Sequence, residues 1–266
     1  MATIAEMIRE VNDEGYFDEN AEAKVCQDIV LKALSESSLN RNATIKGGVV
    51  MRSISNDARR ATQDMDIDFI RYSLNDDAIR IFIGKLNCLP GIQVVQIGAI
   101  EELRQQDYHG KRVYVRISDE TGDSIESKID IGVHKHLSLD QDEYCFDIAC
   151  FDEGANLLIN SKEQMFTEKL RSLLKFGVFS TRYKDIFDMY YLSGFLDKTK
   201  LAKCFDIFIF ADNEMRENSI GDICKRVHST FSNRQYVMRL SRSRKNWLGV
   251  NVAEVLSTIE MFLRDC

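Results

Sequence analysis

Residues 64–69 read Asp-Met-Asp-Ile-Asp-Phe, and this alternation of carboxylates with apolar side chains decides the fold assignment. Successive side chains of a β-strand point to opposite faces, so the three aspartates share one face and the three apolar residues share the other. Carboxylates on one face repel one another unless a cation neutralises them. Mg²⁺ suits such a strand because it binds one or two protein carboxylates and completes its shell with water and substrate phosphates. From this segment alone, a metal site and an exposed edge strand with a solvated acidic face are both open.

A second strand-like segment, residues 128–133, reads Lys-Ile-Asp-Ile-Gly-Val. Its apolar residues again share one face, which leaves Asp130 on the other face. If this strand pairs with the first one, Asp130 joins Asp64 and Asp66 in a single cluster. Carboxylates that hold two metal ions about 3.5–4 Å apart are the arrangement for in-line phosphoryl or nucleotidyl displacement.

Two adjacent glycines, Gly47 and Gly48, lie between the strand-like segment 43–45 and a helix expected to begin near Val49. Glycine lets the backbone approach a phosphate closely, and the amides at a helix N-terminus point towards an anion. A turn that only joins a strand to a helix is the alternative interpretation of this pair.

Strand and helix patterns alternate in the first half of the chain. Strands are predicted at 43–45, 65–69, 94–97, 113–117 and 129–133, and helices at 20–37 (with Asn20 as N-cap), from Val49, and at 76–86. Beyond about residue 155 only helices are expected, from a capping box at 161–164 onwards and near 182–193, 199–212, 219–231 and 250–264. The pattern therefore predicts an α+β or α/β core with a mixed sheet at 1–155, followed by a helical module at 156–266.

Composition excludes several classes of protein. With 14 glycines and one proline there is no flexible linker, and the apolar stretches are too short to span a bilayer. Residues 1–10 carry acidic side chains where a signal peptide needs an apolar region. The seven cysteines include no Cys-x-x-Cys pair, which argues against a disulfide framework and a zinc knuckle. We therefore expect a soluble, cytoplasmic protein with no membrane partner.

The motif order resembles the polymerase-beta-like nucleotidyltransferase fold, whose signature is Gly-Gly or Gly-Ser followed by Asp-x-Asp. The matching segments are residues 47–48 and residues 60–66, Arg-Ala-Thr-Gln-Asp-Met-Asp. The helical half resembles the abortive-infection nucleotidyltransferase toxins of the AbiEii/MenA type. It matches their signature with Glu-Lys-Leu at 168–170 and Thr-Arg-Tyr-Lys-Asp-Ile-Phe-Asp-Met at 181–189, so that the resemblance covers about residues 40–195.

The departures from these signatures are mild. Thr62 stands where the family often has Ser, Met65 stands where it often has Leu, and Val-Val at 49–50 replaces Thr-Ala. None of these differences removes a charged group.

The resemblance implies a nucleotidyltransferase that uses Mg²⁺, with two metal ions, and an NTP substrate. The implied metal ligands are Asp64, Asp66 and Asp130, and the helical module is expected to contribute Lys169 and Asp185 to the cleft. The candidate catalytic residues are therefore Asp64, Asp66, Asp130, Lys169 and Asp185. The candidate nucleotide-binding residues are Gly47, Gly48, Arg60, Lys169, Arg182 and Asp185. For Lys184 and Asp188, an ordinary surface ion pair at i, i+4 is the favoured interpretation.

The stretch 223–253 contains no Asp or Glu, although the whole chain has a net charge of −7. It holds seven Lys or Arg residues, together with the aromatic residues Phe231, Tyr236 and Trp247. Such a segment suits an RNA backbone, with an aromatic ring available for stacking, and the candidate RNA-binding residues are Arg239, Arg242 and Arg244. A solvated basic face and a dock for an acidic partner protein are the alternatives.

The resemblance also implies a substrate and a partner. The implied acceptor is the 3′ end of a tRNA, and the implied role is the toxin of a toxin–antitoxin system, with a cognate antitoxin, in abortive phage infection. Two alternatives stay open: transfer to a small-molecule or protein hydroxyl, and a catalytically silent subunit that binds nucleic acid or a regulator.

Overall fold

The structure is a computed structural model that describes residues 2–105 and 108–266. The chain divides into two compact units, Met1–Asn160 and Ser161–Cys266. The sequence placed the end of the last strand before residue 155, and this is wrong because Ala155–Ile159 is itself a strand of the first unit.

The first unit is built on one mixed sheet, which confirms the predicted fold class. In the part of the chain that the structure describes, its strands are β1 (Ala43–Lys46), β2 (Met65–Phe69), β3 (Ile92–Gln105), β4 (Tyr108–Asp119), β5 (Ser124–Val133), β6 (Asp142–Phe146) and β7 (Ala155–Ile159). Their order in the sheet is β3-β4-β5-β2-β1-β7-β6. The β2–β5 and β1–β7 pairs are parallel and the other pairs are antiparallel. The strand β6 was not expected from the sequence.

Helices follow the predicted alternation with strands. They are α1 (Ile4–Asp13), α2 (Glu19–Glu36), α3 (Gly47–Ser55) and α4 (Asp76–Lys85). The predicted N-cap of α2, Asn20, is wrong: Asp18 occupies that position with a φ of 51°. The apolar face of the sheet is the core, where Ile45, Ile67 and Ile131 are fully buried and α2 packs against β5 and β7. Side chains alternate along a strand, so the aspartates of β2 and β5 lie on the opposite face of the sheet.

The second unit is helical, as the sequence predicts. Its helices over residues 161–266 are α5 (Lys162–Phe176), α6 (Tyr183–Ser193), α7 (Lys198–Phe205), α8 (Ile220–Phe231), α9 (Arg234–Arg242) and α10 (Val252–Arg264). A 3₁₀ turn at Gly177–Phe179 follows α5, and a π-helical turn at Asp206–Phe210 follows α7. The predicted cap of α5 is present, because Ser161 Oγ accepts a hydrogen bond from the Gln164 amide at 3.1 Å. Helices α1 and α9 were not expected.

None of the helices in residues 2–105 and 108–266 combines the length and the apolar character needed to cross a bilayer.

Candidate active site

Four charged residues form a row across four adjacent strands of the first unit. Lys46 on β1 is the register partner of Asp66 on β2, and Asp66 is the partner of Asp130 on β5. Asp130 is in turn the partner of Arg112 on β4. Register partners point to the same face of a sheet, so the row has a cation at each end and two neighbouring carboxylates in the middle. The structure therefore brings together Asp66 and Asp130, which come from distant segments of the sequence.

Three aspartates in or beside this row each form an ion pair. Lys128 Nζ lies 2.7 Å from Asp64 Oδ1, and Lys46 Nζ lies 2.8 Å from Asp68 Oδ1. Arg112 forms a bidentate pair with Asp130, with Nε to Oδ1 at 2.7 Å and Nη2 to Oδ2 at 2.8 Å. This hydrogen bonding raises the pKa of Arg112 further above its usual range. A bidentate pair of this kind fixes the orientation of the Asp130 carboxylate.

The carboxyl group of Asp66 has the most perturbed environment in the row. Burial raises its pKa to about 6; Lys46 acts in the lowering direction, and the carboxylates of Asp130, Asp64 and Asp68 raise it further. Its ionised form is therefore disfavoured in the absence of an additional positive charge. A cation bound at this position would remove that penalty.

The Gly47–Gly48 pair fits closely against this carboxylate. Gly47 begins α3 with a φ of 66°, and a Cβ atom at this position would overlap Asp66 Oδ2. A Cβ atom at Gly48 would lie 2.5 Å from Thr62 Oγ1 and 2.7 Å from Thr62 Cβ. The two glycines are therefore needed for close packing, and they place the N-terminus of α3 next to Asp66. Because amides at a helix N-terminus favour anions, this position suits a phosphate group.

The donor atoms at the centre of the row fit Mg²⁺. Among residues 2–105 and 108–266, no group of three or more His, Cys, Asp or Glu side chains is arranged to hold a metal ion. The pair of Asp66 and Asp130 supplies the one or two carboxylates that Mg²⁺ takes from a protein when phosphates and water complete its shell. Asp64 is exposed and paired with Lys128, and Asp68 is buried and paired with Lys46. Asp130 is paired as well, with Arg112, so Asp66 and Asp130 are distinguished by their adjacent register positions on β2 and β5, from which both could contact one metal ion.

In the second unit, Lys169 on α5 lies between two carboxylates of α6. Its Nζ atom is 2.9 Å from Asp185 Oδ1 and 2.8 Å from Asp188 Oδ2. Trp247 Nε1 donates a hydrogen bond to Asp188 Oδ1 at 3.0 Å. The interpretation of Asp188 as a surface partner of Lys184 is wrong, because Asp188 is fully buried. Its position one helical turn after Asp185, on the same face of α6, is the signal that could have identified it.

The other predicted site residues have varied environments. Arg60, at the end of a 3₁₀ turn, is buried with 3% of its surface exposed, whereas Arg182 at the N-cap of α6 is exposed. The three arginines assigned to RNA binding are exposed: Arg239, Arg242 and Arg244.

The aromatic residues of the stretch 223–253 are core residues. Phe231, Tyr236 and Trp247 are buried, so the expectation that one of them is available for stacking is wrong. Phe231 and Tyr236 lie on the buried faces of α8 and α9, and Trp247, in the connection between α9 and α10, donates to Asp188.

Sequence reasoning missed Lys46, Arg112 and Trp247. Lys46 could have been found because it directly precedes the glycine pair. Arg112 could have been found from the β4–β5 hairpin, since counting outwards from the turn that pairs Ser118 with Ser124 places Arg112 opposite Asp130. No local signal in the sequence connects Trp247 with Asp188.

The family model described as "Nucleotidyl transferase AbiEii toxin, Type IV TA system" matches residues 29–247. This match covers most of the chain and includes both carboxylates of the row, Lys169 and Trp247. The chain belongs to the AbiEii family. The protein is therefore a nucleotidyltransferase, and the family is that of the toxins of type IV toxin–antitoxin systems.

One solved structure similar to this AbiEii chain is described as an antigenic nucleotidyltransferase-like protein from Paracoccidioides brasiliensis. The two are 14% identical with a TM-score of 0.45, and the alignment covers 80% of this chain and 91% of that chain. No curated protein matches the chain. The family assignment accordingly rests on the family model.

Proposed function

We propose that this AbiEii protein transfers a nucleoside monophosphate from an NTP to the 3′-terminal hydroxyl of a tRNA, with release of pyrophosphate. The observation that carries this proposal is the in-register pair of Asp66 and Asp130 beside the N-terminus of α3. The carboxylate pair could bind a metal ion, and the neighbouring helix N-terminus could bind the phosphates that the metal ion contacts.

The proposed metal site uses Asp66 and Asp130. Asp64 is the proposed third ligand where two Mg²⁺ ions bind, and for this role its carboxylate would have to leave the ion pair with Lys128 that it forms here. When bound, Mg²⁺ supplies charge neutralisation at the triphosphate and lowers the pKa of the attacking hydroxyl. Arg112 holds the Asp130 carboxylate in one orientation through its bidentate pair. The proposed phosphate contacts are the backbone amides at Gly47 and Gly48, because the amides at the N-terminus of α3 point towards an anion.

The proposed role of Lys169 is to neutralise negative charge on the triphosphate. Its ammonium group is held by Asp185 and Asp188, and only 11% of its side chain is exposed. A group that is fixed before the substrate binds stabilises developing charge without reorganisation. Asp185, whose side chain is 20% exposed, keeps Lys169 in position or binds the sugar or base of the nucleotide. Arg60 and Arg182 are further proposed contacts to the nucleotide.

The proposed acceptor and biological role follow from the family. We propose that a tRNA docks on the exposed arginines Arg239, Arg242 and Arg244, that a cognate antitoxin counteracts the enzyme, and that it acts in the cytoplasm during abortive phage infection. A family of type IV toxins supports the antitoxin, and the acid-free stretch 223–253 supports an RNA acceptor.

The decisive experiment incubates the pure protein with Mg²⁺, each of the four α-labelled NTPs in turn, and total tRNA. We expect label on the tRNA with at least one NTP, and none with Asp66→Asn. Label on a protein or on a small molecule would show that the acceptor is not tRNA, while the nucleotidyltransferase activity itself would be retained. Binding of an NTP without any transfer would instead indicate a silent subunit.

A further inference from the structure

The 3₁₀ turn at Gly177–Phe179 exposes two aromatic side chains on the surface of the second unit. Phe179 is 82% exposed and Phe176 is 41% exposed. Among the large apolar side chains of the described residues that are exposed, Phe179 is the most exposed, and a ring so open to water contributes little to the stability of the fold. Phe179 is therefore accessible to a ligand over most of its surface.

Two arginines hold the chain on either side of these rings. Arg226 Nε on α8 donates to Leu174 O at 3.3 Å, and Arg239 Nη2 on α9 donates to Val178 O at 2.5 Å. Each guanidinium has five N–H donors, so each keeps donors beyond the one used for the carbonyl. Within the part of the chain that the structure describes, neither guanidinium forms an ion pair. We call Phe176, Phe179, Arg226 and Arg239 the Phe179 face.

The turn is held tightly against Arg226. Gly177 has a φ of 50°, and a Cβ atom there would lie 3.0 Å from Arg226 Nη2. Tyr236 anchors helix α9 to the core of the second unit, because its side chain is fully buried and stacks on Phe231. The Phe179 face is therefore presented by a fixed backbone, which lowers the entropic penalty for binding a ligand.

The charge around the Phe179 face favours an anionic ligand. Residues 169–184, which include both phenylalanines, contain no Asp or Glu, and the same is true of residues 223–253, which include both arginines. The nearby cations Arg171 and Lys175 are compensated by Asp212 and Glu214. Arg226 and Arg239 thus provide positive charge beside the exposed rings that no ion pair within the described residues compensates.

We propose that the Phe179 face binds an unpaired segment of RNA, with one base stacked on Phe179 and the neighbouring phosphates bound by Arg226 and Arg239. An exposed ring flanked by cations is the arrangement by which single-stranded nucleic acid is bound without sequence preference. This inference rests on the proposed function for its assumption that the acceptor is RNA. It assigns to Phe179 the stacking role for which the buried aromatic residues of 223–253 are unsuited.

The test measures RNA binding with neither NTP nor Mg²⁺ present, so that transfer chemistry plays no part. The probes are a short fluorescein-labelled single-stranded RNA and a duplex of the same sequence, followed by fluorescence anisotropy over a range of salt concentrations. We expect Phe179→Ala to weaken single-strand binding about tenfold, since stacking on an aromatic ring is lost. Duplex binding and the salt dependence should not change, and Phe179→Trp should restore the affinity.

Two further variants serve as controls. Phe195→Ala removes another exposed ring of the second unit, 58% exposed, and should leave RNA binding unchanged. Arg239→Gln should weaken both probes and reduce the salt slope by about 0.7–0.9, the value for one phosphate contact. Thermal unfolding of Phe179→Ala should match that of the wild type, because the ring has few contacts to lose.

The outcomes separate this inference from the proposed function. Unchanged single-strand affinity of Phe179→Ala, or an equal loss with Phe195→Ala, overturns the inference even where the wild type labels tRNA. If Phe179→Ala keeps its affinity for RNA but is no longer neutralised by the antitoxin, the inference is overturned, and the Phe179 face is a binding site for the antitoxin. A wild type that labels no tRNA but shows the expected pattern with the two probes supports the RNA face and rejects the proposed acceptor.

Discussion

Trp247 Nε1 donates a hydrogen bond to Asp188 Oδ1 over 3.0 Å, and both side chains are buried. The other oxygen of Asp188 is 2.8 Å from Lys169 Nζ. Asp188 therefore connects Lys169 to the stretch 223–253, which the sequence presented only as a basic surface. Part of that stretch supports the position of the proposed nucleotide-binding lysine.

We expect Asp188→Asn to lower the free energy of unfolding by about 3 kcal/mol, because it removes one partner of a buried ion pair. Asp185→Asn should lower it by at most about 1 kcal/mol, since Asp185 is only partly buried. Transfer activity should nevertheless fall strongly in the Asp185 variant if this residue serves the nucleotide. Urea denaturation of both variants measures the difference, and equal losses of stability would contradict it.

We expect Asp66→Asn to stabilise the metal-free protein in a pH-dependent manner. The pKa of Asp66 is raised from 3.8 to about 6, so the folded protein binds this proton more tightly than the unfolded chain does. Stability from this group is therefore present at low pH and is lost as the pH rises from about 4 through 6. The substitution removes that loss and should add about 3 kcal/mol at pH 8, and only about 0.5 kcal/mol at pH 4.

Denaturation in the presence of EDTA at the two pH values measures this effect. Added Mg²⁺ should then stabilise the wild type and not Asp66→Asn, since a ligand that binds only the folded state raises its stability. If the gain in the free energy of unfolding at pH 8 is no larger than the gain at pH 4, the pKa of Asp66 is not raised in the folded protein.

Gly47→Ala should destabilise the protein and displace the Asp66 carboxylate, because the new Cβ atom overlaps Asp66 Oδ2 and the φ of 66° is unfavourable for alanine. We expect a loss of at least about 1 kcal/mol in the free energy of unfolding, together with loss of transfer. Gly84→Ala is the matched control: a Cβ atom there meets nothing within 4 Å, and the residue lies in α4. It should stabilise the protein by up to about 1 kcal/mol and leave transfer intact. Thermal unfolding and the labelling assay compare the two variants.

The central part of the site could be predicted from the sequence, because strand alternation depends on nearest neighbours along the chain. That local rule placed Asp66 and Asp130 on the polar faces of their strands. The glycine pair was identified by its position between a predicted strand and a predicted helix. Strand order and register depend on contacts between distant segments, so Lys46 and Arg112 were not found. The burial of Asp188, Phe231 and Tyr236 depends on how the helices pack, and a charged or aromatic residue on a helix does not reveal that by itself.

Arg112→Gln should reduce transfer strongly and lower the free energy of unfolding by about 1–2 kcal/mol, because the bidentate pair that orients Asp130 is lost. Arg116→Gln is a close control on the same two strands. Arg116 pairs with Glu126, and both side chains are about half exposed, at 50% and 54%. Its substitution should change stability by less than about 0.5 kcal/mol and leave transfer unchanged. Similar activity of the two variants would remove Arg112 from the site.

Joint substitution of Arg242 and Arg244 by Gln tests the partner of the exposed basic residues. If both contact phosphates of a single-stranded end, the salt slope of RNA binding should fall by about 1.4, or about 0.7 for each contact. Neutralisation by the antitoxin should stay the same. Loss of neutralisation with unchanged RNA binding would assign these residues to the antitoxin, and no change in either would leave them as solvated surface.

The pairing of Asp66 with Asp130 has a consequence for synthesis of the toxin on the ribosome. The two strands that carry these residues, β2 and β5, are separated in the chain by α4 and the β3–β4 hairpin, so a nascent chain cannot form the carboxylate pair until β5 has left the exit tunnel. Closing so long a loop is slow compared with local hairpin formation. Truncated products of interrupted translation that end before Asp130 therefore lack one carboxylate of the pair, and the row from Lys46 to Arg112 is complete only once synthesis has passed β5.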